Sequence, residues 1–120
     1  MEDTLISILE TFKVPVMRQG SLPPDEAYPP TFITFWNTDE SEHSPYDNET
    51  AITENAFSVY VYSNDPTTTY SLLAQVRAAV KAAGWIIITR GYDVASDEIT
   101  HTGRGMDINY LDTEKEENNG

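Results

Sequence analysis

The sequence predicts an α+β domain, a two-layer sandwich in which helices cover one face of a mainly antiparallel four-stranded sheet. Three features of the second half of the chain carry this prediction. Residues 56–62 alternate in character, as in a strand whose two faces meet different surroundings. Residues 67–83 carry one apolar stripe at helical spacing. Residues 85–88 and 104–111 read as two further strands. This order indicates a helix packed on a sheet.

The predicted helix has a signal at each end. Asp65 can accept hydrogen bonds from the free amides of the first turn, and Pro66 suits the first helical position because it has no N–H to leave unpaired. Gly84 follows the last apolar residue and suits the left-handed conformation that ends many helices. The sequence therefore predicts a helix over Pro66–Ala83.

The two strands after this helix are predicted to form a hairpin with a long loop. Residues 85–88 are a continuous apolar run rich in β-branched side chains, which is typical of a centrally buried strand. Residues 104–111 alternate, with Met106 and Ile108 on one face. Residues 91–103, between the two strands, are polar and show no helical pattern, so they are predicted to be the loop.

The first half of the chain is predicted to supply one helix and one strand. Apolar residues at helical spacing predict a helix over Glu2–Phe12, and residues 31–36 predict a strand that is apolar on both faces. Residues 14–16 contain a proline and are expected to be extended. The proline-rich residues 21–30 and the acidic residues 37–55 are predicted as loops that are mobile in the isolated protein.

Length and composition restrict the class of protein. A chain of 120 residues forms one domain, predicted over residues 1–112, and the acidic residues 113–120 are predicted to be a disordered tail. The net charge of -13 disfavours a nucleic-acid binder. The chain has no cysteine, no apolar run long enough to cross a membrane and no secretion signal, so we expect synthesis in the cytoplasm without thiol chemistry.

No pattern in the chain predicts a catalytic, metal or cofactor site. His43 and His101 are the only histidines, and neither has a companion at ligand spacing, so both are expected to lie on loops in solvent. The acidic segment lacks the alternating aspartates of a calcium loop. Gly103 and Gly105 precede a strand rather than a helix, which excludes a phosphate-binding loop. We therefore do not expect an enzyme.

Aromatic residues form the candidate assembly interface, namely Trp36, Tyr60, Tyr62 and Tyr92. Tyrosine and tryptophan are enriched where one protein surface is buried by another. In the predicted strand, Tyr60 and Tyr62 lie on the face opposite the apolar one, and hence away from the helix. An aromatic ladder that only stiffens the sheet explains these two tyrosines equally well.

The order of the elements also supports a resemblance. It comprises an N-terminal helix, a proline-led strand at residues 28–36, a polar insertion, a strand at 57–63 that leads directly into a helix at 69–80, and a hairpin that ends at 105–110. This order resembles the small neck and tail-completion proteins of long-tailed bacteriophages, which include tail terminators and head-to-tail joining proteins. The resemblance covers residues 28–112 and rests on the order of elements more than on single motifs.

The resemblance implies a structural virion protein of the neck or tail, with no catalytic residue to carry over. Members of this family cap the tail tube as a hexameric ring and present a face to the head connector. The implied partners are further copies of the chain, the tail tube protein and a head connector or neck protein. Genome DNA would pass through the ring, and six copies at -13 each would line it with the same sign of charge as DNA.

The same resemblance leaves several points open. The polar insertion is a candidate for the lumen or for a partner contact through its acidic residues, namely Asp39, Glu40, Glu42, Asp47 and Glu49. Repulsion between copies favours a monomer when the protein is isolated. A tail terminator and a neighbouring neck protein are not separated by the sequence.

Two alternatives come from other classes of protein. An acidic decoy that imitates DNA would inhibit a host nucleic-acid enzyme, but such proteins spread carboxylates over regular elements, and the helix at 67–83 has none. A small regulatory domain of ferredoxin-like type would need a glycine-bearing loop between strand and helix, where this chain has Asn64, Asp65 and Pro66.

Overall fold

The hydrophobic core lies between one face of a five-stranded sheet and two helices. The structure is a computed structural model that describes residues 2–18, 29–43, 50–96 and 99–115. The elements, in chain order, are α1 (Glu2–Glu10), β1 (Val16–Arg18), β2 (Thr31–His43), β3 (Thr50–Ser63), α2 (Pro66–Ala82), β4 (Ile86–Val94) and β5 (Thr102–Lys115). The fold is therefore α+β, as the sequence predicts.

The sheet is larger than predicted and is mixed. Its strand order is β1-β2-β3-β5-β4, and β1 pairs with β2 in parallel whereas the other neighbours are antiparallel. The predicted four-stranded sheet is wrong because β1 was missed. Only three residues long, β1 cannot display a period of two, and its Val16 pairs with Ile33. The amide of Ile33 also donates to the carbonyl oxygen of Pro15 at 2.9 Å.

One apolar cluster joins both helices to the sheet. On the apolar face predicted for residues 56–62, Phe57, Val59 and Val61 belong to the same cluster as Val76 and Val80 of α2. This confirms the predicted packing of α2 on that face. The other fully buried members of the cluster are Leu5, Leu9, Ile33, Leu73, Met106 and Ile108. The fully buried leucines of α1 place it on the same side of the sheet.

Helix α2 begins and ends at the predicted signals. The carboxylate of Asp65 accepts a hydrogen bond from the amide of Thr67 at 3.1 Å, and Pro66 occupies the first turn. Gly84 has a φ of +100°, a conformation that costs little only for glycine, and the chain then turns back to the sheet. These local interactions fix where α2 starts and stops.

Strand β4 is an edge strand, so the prediction of a centrally buried strand at residues 85–88 is wrong. Trp85, just before the strand, is buried, but Ile86 and Ile88 are 46% and 57% exposed. An apolar run shows that a segment is hydrophobic, but it does not show whether the strand lies at the centre or at the edge of its sheet. The strand also continues to Val94, which shortens the loop predicted at residues 91–103.

The acidic segment predicted as a loop at residues 37–55 is mostly strand. β2 continues through His43 and β3 starts at Thr50, and the two remain paired past a register shift between Asn37 and Asp39. Ladder hydrogen bonds join backbone groups, so polar side chains do not prevent them. Of the five acidic residues singled out, Asp39, Glu40 and Glu42 lie on β2, and Asp47 and Glu49 lie outside the described residues.

The same strands extend beyond the core as a three-stranded arm, made of residues 37–43, 50–56 and 109–115. β5 pairs with β3 up to the Thr50–Lys115 pair, so residues 113–115 of the predicted tail continue a strand. Residues 21–28 of the predicted proline-rich loop and residues 116–120 lie outside the described part of the chain.

Replacing a buried residue of α2 tests this packing. Leu73 is buried in the core, whereas Gln75 of the same helix is exposed. Leu73→Ala should lower the free energy of unfolding by about 2–5 kcal/mol, because it leaves a cavity. Gln75→Ala should change it by less than about 0.5 kcal/mol. Urea unfolding followed by circular dichroism measures both, and equal effects of the two substitutions would contradict the assigned helix face.

Candidate functional site

The sheet face turned away from the helices holds the candidate site. We call it the open face because no helix of the described residues covers it, although several of its side chains, among them Phe32, Thr34 and Ser58, are buried. In an antiparallel pair, residues directly opposite each other point to the same side. The register therefore aligns three rows across β2, β3, β5 and β4. These rows are Phe32–Tyr62–Gly103–Val94, Thr34–Tyr60–Gly105–Tyr92 and Trp36–Ser58–Asp107–Thr89.

The aromatic side chains of the open face form a connected group. The rings of Phe32 and Tyr62 stack with their centroids 5.1 Å apart, and those of Tyr60 and Tyr62 lie 6.4 Å apart. The indole N–H of Trp36 donates to the hydroxyl of Tyr60 at 3.2 Å. Exposure differs sharply within the group, since Tyr62 is 9% exposed and Trp36 is 46% exposed. Trp36 is thus the member that offers most of its ring to a partner.

Two glycines make room for the tyrosines. A Cβ atom at Gly103 would lie 2.6 Å from the ring of Tyr62, and one at Gly105 would lie 2.5 Å from the ring of Tyr60. Both distances are far below van der Waals contact, so each tyrosine ring covers a glycine on the neighbouring strand. The Gly103–Gly105 pair, which the sequence excluded as a phosphate loop, therefore has a packing role on this face.

Asp107 is the polar centre of the open face. One of its carboxylate oxygens, Oδ1, accepts hydrogen bonds from the hydroxyls of Ser58 and Tyr92, each at 2.7 Å. Its Oδ2 accepts from the hydroxyl of Thr89, also at 2.7 Å. A carboxylate has about four acceptor positions, so these three hydroxyls leave about one position, on Oδ2. The four residues come from β3, β4 and β5 and hold the charge at a fixed place.

The same hydrogen bonds shift the protonation equilibria of the cluster. Burial alone would raise the pKa of Asp107, but the donors Ser58, Tyr92 and Thr89 together bring it below the ordinary value. Burial raises the pKa of the Tyr92 phenol, and its bond to Asp107 raises it further. Asp107 therefore stays ionised at neutral pH and Tyr92 stays protonated. A carboxylate of low pKa is a poor general base, so the cluster is suited to binding a positive group rather than to moving protons.

Neither histidine is among the residues that contact Asp107. His101 shares a 2.9 Å hydrogen bond through its Nε2 with the carbonyl oxygen of Pro29, and its ring lies 6.0 Å from that of Phe32. It is therefore half-buried against the sheet, not free in solvent as predicted. His43 lies on β2 and not on a loop. The described residues contain no group of His, Cys, Asp or Glu able to hold a metal ion. Nor does the described part of the chain contain a helix that could cross a membrane.

The structure brings the four predicted aromatic residues to one face. Tyr60 and Tyr92 flank Gly105, and Trp36 stands at the end of the aromatic group. Sequence reasoning missed Asp107 and its three donors. The only sequence signal for Asp107 was the alternation of residues 104–111. This alternation places Asp107 on the side of the strand away from the core, but it does not identify the residues around the carboxylate.

The tyrosine-over-glycine packing can be tested with a double-mutant cycle. Gly105→Ala should lower the free energy of unfolding by about 1–3 kcal/mol, because its methyl group overlaps the ring of Tyr60. In a Tyr60→Ala background the same substitution should cost about 0.5–3 kcal/mol less. Chemical unfolding of the unmodified protein, the two single variants and the double variant gives the coupling free energy between the two positions. A coupling free energy near zero would show that the ring of Tyr60 moves aside freely.

The carboxylate cluster predicts a pH dependence. The pKa of Asp107 is lower in the folded state, so its stabilising effect is present above the unfolded pKa, about 3.9, and is lost as the pH falls through the folded pKa. Asp107→Asn should therefore reduce stability by about 1–2 kcal/mol at pH 7. The difference from the unmodified protein should shrink toward pH 2.

Asp93→Asn is the matched control, because this exposed carboxylate pairs only at the surface with Arg104. It should change stability by less than about 1 kcal/mol at pH 7. Unfolding curves at both pH values measure these differences. The assigned cluster would be contradicted if the difference in free energy of unfolding between Asp107→Asn and the unmodified protein stayed constant between pH 7 and pH 2.

No protein-family model matches the chain, and a search of curated proteins finds no significant match.

Proposed function

We propose that the protein is a structural component of a bacteriophage neck or tail, which caps the tail tube as a ring and joins it to the head connector. The observation that carries the proposal is the open face, which combines a half-exposed tryptophan and several tyrosines with a carboxylate held by three hydroxyls. Such surfaces are typical of protein–protein contacts, in which aromatic anchors supply most of the binding energy. The order of elements, which resembles that of tail-completion proteins, is the reason for assigning this contact surface to a phage neck or tail.

The construction of the open face suits docking. Three hydroxyls already hold Asp107, and the glycines lock the tyrosine rings, so little side-chain freedom is left to lose when a partner binds. The acceptor position that remains on Asp107 Oδ2 and the nearby rings of Tyr60 and Tyr92 are suited to an arginine or lysine of the partner. The proposed partners are other copies of the chain, the tail tube protein and a head connector or neck protein.

Charge fits the passage of DNA through such a ring. Each copy has a net charge of -13, and a lumen of that sign would not retain the phosphate backbone. No specific nucleic-acid contact, cofactor or catalytic step is part of the proposal. The protein would be made in the host cytoplasm and reside in the virion.

The alternatives from other classes are less well supported. A DNA mimic would present carboxylates on its regular elements, and Asp39, Glu40 and Glu42 on β2 have that placement. However, the exposed side of α2 carries Arg77 and Lys81 and no acidic residue. A ferredoxin-like domain is built from two β-α-β units. Here three strands follow α1 and two follow α2, which is a different order.

Removing the gene from the phage that carries it tests the proposal. Particles made without the protein should show one of two defects by electron microscopy. Overlong tails would identify a terminator, and normal tails detached from filled heads would identify a joining protein. Particles of normal form and number would refute the proposed function.

A substitution on the open face tests which surface docks. Replacing Tyr62 is a poor test because that ring is buried over Gly103. Trp36→Ala removes an exposed ring instead and should lower incorporation into particles at least about tenfold, the effect of losing about 1.4 kcal/mol. Tyr70→Ala, an exposed aromatic residue on α2, is the control and should incorporate normally. Normal incorporation of Trp36→Ala would exclude the open face as the contact.

A further inference from the structure

A basic groove runs between α2 and the edge strand β4. Its volume is about 580 Å³. Arg77 and Lys81 of α2 and Arg90 of β4 line it, together with the small side chains of Ala74 and Ala78. The guanidinium of Arg77 donates to the backbone carbonyl of Arg90 at 2.9 Å, which ties the helix to the edge strand and keeps the groove in shape.

The cations of this groove are not neutralised within the described part of the chain. Only seven basic residues occur in the whole sequence, and three of them are here. No carboxylate of the described residues pairs with Arg77, Lys81 or Arg90, and the sequence from residue 66 to residue 92 contains no acidic residue. Arg104, the nearest other cation, is already held by Asp93 and by the ring of Tyr70. The groove is therefore a local positive site on a strongly negative protein.

The three cations of the groove favour an occupant that is rich in carboxylates. Trp85 also lines the groove, but its indole N–H is buried and inaccessible, so the charge of the groove rather than this donor selects the occupant.

We propose that this basic groove binds the acidic β2–β3 hairpin of a second copy of the chain. Residues 39–49 carry five acidic residues and no lysine or arginine, so their charge complements that of the groove. This contact would form the subunit interface of the ring proposed above, and only the closure of the contacts into a ring rests on the proposed function. Binding of the hairpin to the groove can be measured with the isolated chain.

The described part of the hairpin extends beyond the groove of the same copy. Ile86, at the start of β4, is level with Asn109 of β5 and hence with Ala56 of β3. From Ala56 the paired arm continues to Thr50, six residues or about 20 Å further. Pairing with β2 and β5 therefore carries the described residues of the arm away from the groove of the same copy.

Groove and hairpin are different surfaces, so the contact is head-to-tail. Each copy offers one groove and one hairpin, and such contacts build chains or closed rings rather than stopping at a pair. Long-range repulsion between copies of net charge -13 opposes the contact at low salt, where the Debye length is about 30 Å at 0.01 M. At about 0.15 M this length is about 8 Å, so the repulsion is screened while close pairs in the groove persist.

Cysteine trapping tests the proposal in the purified protein, because the chain has no cysteine of its own. Ala78→Cys places a thiol in the groove and Ser41→Cys places one on the hairpin strand, without altering charge. Under mild oxidation at about 0.15 M salt, the double variant should give a ladder of dimers, trimers and larger species or a closed ring. Each single variant should stay largely monomeric.

Charge reversal gives the matched control. Lys81→Glu with Arg90→Glu keeps the Arg77 bond to the backbone of residue 90 and should reduce the ladder at least about tenfold, a loss of about 1.4 kcal/mol or more in contact free energy. Lys13→Glu with Arg18→Glu changes the net charge equally at exposed positions elsewhere and should leave the ladder unchanged. Circular dichroism checks that all variants remain folded.

A rescue completes the test. A chain with Ala78→Cys and the reversed groove should cross-link to a chain with Ser41→Cys, Glu40→Lys and Glu42→Lys, but not to one with Ser41→Cys alone. Any of three results would overturn the proposal. These are a ladder that is unchanged by the charge reversal in the groove, dimers from Ala78→Cys alone, and the absence of a ladder at every salt concentration. These results do not depend on phage particles, so they are independent of the gene-removal experiment.

Discussion

Pairing of β3 on both sides is the constraint on which the rest of the structure depends. β5 pairs with all of β3, and β2 pairs with it from Ser63 to Ile52. Because side chains alternate along a strand, one register decides which side chains of all three strands meet the helices. A slip by one residue would exchange Val59 with Tyr60 and put tyrosines into the core. The same register gathers Ser58 and Asp107 on the open face.

The open face is stiff because its parts hold one another. Tyr60 covers Gly105, Trp36 donates to Tyr60, and the hydroxyl of Tyr92 beside them fixes Asp107. Alanine in place of the glycine would collide with the ring, whereas tyrosine without the glycine would have no place to lie. This mutual fit orders side chains before any partner arrives. A face that is already ordered loses less entropy on binding than a mobile loop of the same composition.

Sequence predicted what depends on neighbours in the chain and missed what depends on partners in the sheet. The alternation around Val59 and the capping of α2 by Asp65 and Gly84 are local, so both were predicted correctly. The edge position of β4 depends on which strands lie beside it, and no apolar run records that. The acidic strand beyond Asn37 was taken for a loop because its stability comes from backbone pairing. Asp107 was missed because its donors lie 15 to 49 residues away.

Charge is segregated along the chain, and the fold turns this into segregation in space. No lysine or arginine occurs from residue 19 to residue 76, and no acidic residue from residue 66 to residue 92. The fold places residues 37–43 and 50–56 of the first stretch in the arm and puts the second stretch on α2 and β4. A protein with the same net charge but with its charges evenly mixed over the surface would repel other copies at every distance. With this separation, copies repel when far apart in dilute solution, but opposite charges can meet at contact. A surface built this way favours assembly only where copies are held close together, as they would be on a growing structure.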